Sequence, residues 1–133
     1  MRLLSASFLL FASAAHGQGA AIDGRWVNPE GSVIIAIVPC GEAHCGTVTW
    51  ASDKAKADAR KGTDKLVGTQ LLAGFEEKRP GQWSGRVFIP DHDMRAKAKL
   101  QLIGERQLKV SGCVFRILCR TQYWNRADGP LPD

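Results

Sequence analysis

The stretch "RAKAKLQLIGERQLKVSGC", residues 95–113, decides the fold. Ala96, Ala98, Leu100 and Leu102 alternate with Lys97, Lys99 and Gln101, and Leu108, Val110 and Gly112 alternate with Lys109 and Ser111. A period of two places each set on one face of an extended chain, the pattern of a half-buried strand. A helix would need its apolar residues three and four apart. The "ERQ" between the two runs is too short for anything but a turn, so the runs read as an antiparallel hairpin.

Strand-like text continues outward in both directions. "WSGRVFI" (83–89) precedes a "PDHD" turn, and "VGTQLLAGFEEK" (67–78), interrupted by glycines, precedes "RPGQ". Near the start, "GRWV" (24–27) ends at "NPEG". "SVIIAIVPC" (32–40) and "CGTVTWAS" (45–52) flank "GEAH", a hairpin by composition and loop length. "CRTQYWNR" (119–126) closes the set. About eight short strands in sequence order, with no long amphipathic helical window and no solenoid period, predict an all-β fold. The arrangement expected is a small antiparallel up-and-down barrel, with a flat sheet or sandwich as the other option. "DKAKADARKGTDK" (53–65), with five basic and three acidic residues, reads as a solvated helical turn or open loop.

The chain has 133 residues and a formal charge of +5. Arg2, the short apolar run "LLSASFLLFASAA" and the small residues Ala15 and Gly17 read as a signal peptide, 1–17. The expected mature unit is one domain, 18–133, exported to the periplasm or beyond, with no segment apolar enough to span a membrane. Cys40, Cys45, Cys113 and Cys119 form an even set, as expected of two disulfides in an oxidising compartment. Counting leaves the pairing open. A Cys40–Cys45 bridge across a hairpin base is geometrically easy, and a Cys113–Cys119 disulfide is favoured over redox chemistry because C-x5-C is not the redox spacing.

No catalytic constellation emerges. "CGEAHC" places His44 among cysteines that read as bridged, and Asp91, His92 and Asp93 are explained by turn chemistry. No serine sits in a G-x-S-x-G setting. No aromatics interleave with the basic run, so nucleic acid is not an expected partner. We expect no enzyme, no cofactor and no metal.

The aromatics and arginines carry more. If the first and last strands are neighbours, Arg126 can lie on the indole of Trp26 and close the barrel, a contact of about 0.5–2 kcal/mol. Parity then sends Trp124, Gln122 and Arg120 to the interior with Arg126. Trp50 shares parity with Gly46 and Val48, and Trp83 shares it with Gly85 and Val87. Arg120, Gln122, Trp124, Trp50 and Trp83 are therefore the candidate ligand-binding residues, with core filling the competing role for the tryptophans.

The G-x-W opening "DGRWV", the C-G of "CGTVTW", "GQWSGRVFIPD" and the ending "GCVFRILCRTQYWNR" together resemble an uncharacterised family of small exported bacterial proteins, catalogued as domain of unknown function 2147. The resemblance implies a calycin (lipocalin-like) barrel and carries no catalytic residues. The expected role is non-catalytic binding of a small amphiphilic or anionic ligand in the envelope. The alternative is a protein-interaction module, or an inhibitor of an envelope enzyme, acting through its loops.

Overall fold

The computed structural model describes residues 21–114 and 118–132. The expected signal peptide, 1–17, lies outside the described residues. Among these residues eight strands run in chain order: β1 (Gly24–Val27), β2 (Val33–Cys40), β3 (Ala43–Ala51), β4 (Gln70–Arg79), β5 (Gln82–Ile89), β6 (Met94–Ile103), β7 (Gln107–Val114) and β8 (Leu118–Arg126). Each pairs with its neighbour in antiparallel sense and β1 pairs with β8, so the sheet is a closed up-and-down barrel. The stretch 95–113 forms the β6–β7 hairpin, with Leu102 opposite Leu108 and Ala98 opposite Gly112.

Inward residues from all sides make one core. Trp26, Ile35, Ile37, Val48, Leu72, Phe75, Trp83, Leu100 and Leu108 all belong to it, each 5% exposed or less. Burial of this kind contributes roughly 1.5–3 kcal/mol for each large apolar side chain. The packing relies on glycine where rings need room. A Cβ on Gly85 would stand 2.7 Å from the Phe75 ring, so β5 has no side chain there and Phe75 fills the space.

Closure between β1 and β8 rests on two register pairs, Trp26 with Arg126 and Val27 with Asn125. The Arg126 guanidinium stacks on the Trp26 ring, 3.9 Å from its centroid. It also donates to three carbonyls: Nη1 to Asp23 (2.7 Å), and Nη2 to Ala21 (2.9 Å) and Glu105 (3.0 Å). One side chain thus ties the segment before β1 to the β6–β7 turn. Beneath it the Trp26 indole donates to the Ile22 carbonyl at 2.8 Å, so the buried N–H is satisfied. The glycine of the G-x-W opening has a steric cause. Gly24 has φ +121°, and a Cβ there would lie 2.9 Å from Arg126 Nη1.

We call the opposite end of the barrel the mouth. There the β3–β4 connection forms α1 (Asp53–Asp58) and a 3-10 turn (Ala59–Lys61), the helical alternative of the two expected. Ser52 caps α1, its hydroxyl accepting from the Ala55 N–H. Asp58 accepts a hydrogen bond from Lys54 one turn earlier, which raises the lysine above its ordinary value. Ala59 and Leu66 are buried in the core, so this segment lids the mouth on its β3–β4 side. It packs against the 3-10 turn Pro90–His92 between β5 and β6.

Two sequence expectations change. The loop after β2 is shorter than four residues: Cys40 pairs with Ala43, only Gly41 and Glu42 turn, and His44 is in β3 rather than in a turn. Trp50 does not share the inward face of Val48. Ile34 pairs with Trp50 and Ile35 with Val48, so Thr49 is the extra residue of a β-bulge. The bulge reverses parity, and Trp50 stands with Ile34 outside the core cluster while Ala51 returns to it. Both disulfides are formed, Cys40–Cys45 and Cys113–Cys119.

Candidate functional site

β8 positions the candidate side chains. Its register against β7 places Trp124 opposite Leu108, Gln122 opposite Val110 and Arg120 opposite Gly112. Leu108 is fully buried and Val110 packs on the core, so this face of β8 is the lumen face. The gradient along it runs from closed end to mouth. Arg126 and Trp124 are half-buried, Gln122 is half-buried, and Arg120 is exposed at the rim.

The expectation that parity would bury Arg120 is corrected. β1 ends at Val27, opposite Asn125, while β8 continues to Leu118. From Cys119 to Trp124 the strand is paired with β7 alone, so it rises above its other neighbour and carries Arg120 into solvent. Trp124 and Gln122 satisfy each other: the indole Nε1 donates to Gln122 Oε1 at 3.0 Å. Among the described residues Arg120 has no ion-pair partner.

The structure therefore separates the five candidates. Arg120, Gln122 and Trp124 stand in one line from rim to core. Trp83 is 2% exposed and fills the core. Trp50 lies on the outer face, away from the other four. The residues that complete the rim were not singled out in the sequence. They are Gly112 and Val87, half-buried on the lumen face above the buried Ala98. A Cβ on Gly112 would lie 3.7 Å from Ala98 Cβ and 3.9 Å from Val87 Cγ1. The signal for them was present, since small residues recur at the inward positions of "AKAK" and "VSGC".

His44 lies on β3 near the closed end. Its Nδ1 lies 2.8 Å from Asp23 Oδ1, while the other carboxylate oxygen of Asp23 is buried without a partner. His92 is exposed in the β5–β6 turn. Among the described residues no three His, Cys, Asp or Glu side chains converge as metal ligands would. No helix among them is long and apolar enough to cross a membrane.

Comparison with known proteins places this geometry. The solved structure of HP1028 from Helicobacter pylori, described as belonging to the lipocalin family, is similar to this barrel with a TM-score of 0.64. The match covers 80% of this chain and 82% of that one at 12% identity, so the likeness is one of fold. No curated protein matches. A bacterial family described as "Uncharacterized protein conserved in bacteria (DUF2147)" matches residues 24–126. That span runs from Gly24, whose missing side chain admits Arg126, to Arg126 itself, and the chain belongs to this family.

Proposed function

We propose that the protein is a non-catalytic binding module that takes a small anionic amphiphile at the barrel mouth. The observation that carries this reading is the line of Arg120, Gln122 and Trp124 on the lumen face of β8. It offers a cation at the rim, an amide below it and an indole at the core boundary. An anionic head would meet Arg120 and its tail would lie over Gly112, Val110 and Val87 toward Trp124. The lower barrel is packed with core side chains, so the ligand is shallow and short rather than deeply enclosed. The lipocalin-like fold and the two disulfides support a secreted binding role.

Titration of the protein with dodecanoate, read by tryptophan fluorescence, tests this. We expect a saturable change in wild type. In Arg120→Ala affinity should fall about tenfold or more, as for loss of one charge-assisted hydrogen bond. An unchanged titration in Arg120→Ala, or none in wild type, rejects the site.

A second reading, protein interaction, is favoured by the unpaired edge of β8 from Cys119 to Trp124, which could accept an added strand. Amide-exchange protection of that edge by a partner, with Arg120→Ala neutral, would select it.

A further inference from the structure

The outer face of the β5–β8 sheet has a charge pattern that neither ligand binding nor folding uses. Its outward positions hold Arg86 on β5, Arg95, Lys97 and Lys99 on β6, and Lys109 on β7, and the outward residues of these four strands include no acid. Arg86 and Lys97 stand directly opposite each other across the β5–β6 ladder. Lys99 follows Lys97 on the same face, and Lys109 lies one strand over. Like charges in direct cross-strand register oppose folding, so the sheet carries this pattern at a cost. Among the described residues none of the five makes an ion pair. Arg95 lies on the Phe88 ring instead, 4.4 Å from its centroid.

The face is also shaped. A groove of about 420 Å³ runs across it toward the β4–β5 turn, lined by Lys78, Arg79, Lys99, Lys109, Ser84 and Ser111 among others. Nearby acids are already engaged: Glu76 accepts from Lys78 at 3.0 Å, and Glu77 from the Gly81 N–H at 3.3 Å. Cations with hydroxyl donors between them suit phosphate oxygens. Two apolar groups stand out on the same face, Tyr123 at 44% exposure and Ile103 at 39%. A tyrosine and an isoleucine beside a field of lysines match the boundary between headgroups and acyl chains. A soluble polyanion would leave Ile103 without a role.

We propose that the outer face of β5–β8 is a docking surface for an anionic lipid bilayer, with a phosphate headgroup seated in the groove between Lys99 and Lys109. It lies on the opposite side of the sheet from Arg120, so it is independent of the mouth. Docking is peripheral and electrostatic, and it should weaken steeply with salt.

Co-sedimentation with phosphatidylcholine vesicles, with and without 30 mol% phosphatidylglycerol, provides the test. Wild type should bind only the anionic vesicles and should release as salt rises toward about 0.5 M, where screening is short-ranged. The variant Arg86→Gln/Lys97→Gln/Lys99→Gln/Lys109→Gln should lose on the order of 100-fold in partitioning, since each cation near an anionic surface adds several-fold. Its melting temperature should not fall, because these side chains make no ion pair among the described residues and repel one another. Arg120→Ala should bind vesicles as wild type does. Equal binding to both vesicle types, or vesicle binding unchanged in the quadruple variant, overturns the proposal. So does tighter wild-type binding to a 20-nucleotide single strand than to the anionic vesicles, which would assign the face to a soluble polyanion.

Discussion

Arg126 holds more of the molecule together than any other polar side chain described. It covers Trp26 and reaches the carbonyls of Ala21, Asp23 and Glu105, so the start of the barrel and the β6–β7 turn both depend on one guanidinium. Arg126→Ala should cost about 2–4 kcal/mol, combining charge-assisted hydrogen bonds with the ring contact. Arg126→Lys should recover only part of this, because an ammonium cannot serve several carbonyls and a ring at once. Thermal or urea denaturation measures both, and a melting temperature equal to wild type in the alanine variant would refute the latch. His44→Ala addresses a different bond at the same end. Asp23 already has one buried oxygen without a partner, and removing His44 leaves the second in the same state. The expected loss is about 1–3 kcal/mol. His44→Gln, whose amide can donate to the carboxylate, should restore most of it. The Arg126–Trp26 contact was readable from the sequence because the two residues bracket the domain. The His44–Asp23 pair was not, because a two-residue turn where four were expected moved His44 from a loop onto a strand.

At the scale of elements, β8 is two strands in one. At its lower end Asn125 is paired on both sides and Arg126 pairs with Trp26 and donates its N–H to the Arg106 carbonyl, while its upper end, Cys119 to Trp124, is paired only with β7. The Cys113–Cys119 disulfide joins directly opposed residues at the upper, one-sided end, with Cα atoms 4.0 Å apart. A bridge closing so small a loop contributes about 2 kcal/mol in the chain-entropy view. Here it acts where β1 gives no support. In Cys113→Ser/Cys119→Ser we expect amide exchange to accelerate at Gly112 and Arg120–Gln122 and to stay slow at Asn125 and Arg126. Uniform acceleration along β8 would show that the strand opens as one unit instead. Alternation revealed the β6–β7 hairpin with its faces correct, because nothing interrupts its period. The same rule failed at Trp50, where Thr49 adds one residue to β3. A bulge preserves composition and shifts only parity, so residue types alone do not mark it. Trp83 shows the matching ambiguity: its inward parity was right, yet parity does not distinguish a lining residue from a core residue. Only the fit of neighbours such as Phe75 against Gly85 does.

At the scale of the whole molecule, the charge of +5 is unevenly placed. Much of it sits on one side of the barrel, where Arg86 and Lys97 face each other in register. Were this face selected for stability alone, an acid at one of the two positions would be favoured. Lys97→Glu should therefore stabilise the fold by about 0.5–1 kcal/mol, by turning a repulsive cross-strand pair into an attractive one. The gain should be largest at about 10 mM salt and shrink toward about 1 M, where the Debye length falls to a few ångströms. Urea midpoints of wild type and Lys97→Glu at the two salt concentrations measure it. The same substitution should weaken docking to phosphatidylglycerol vesicles. Stability and docking moving in opposite directions would mean that the repulsion is retained for binding. If Lys97→Glu is instead destabilising at low salt, the cations are accommodated without strain, and their clustering no longer indicates an anionic partner.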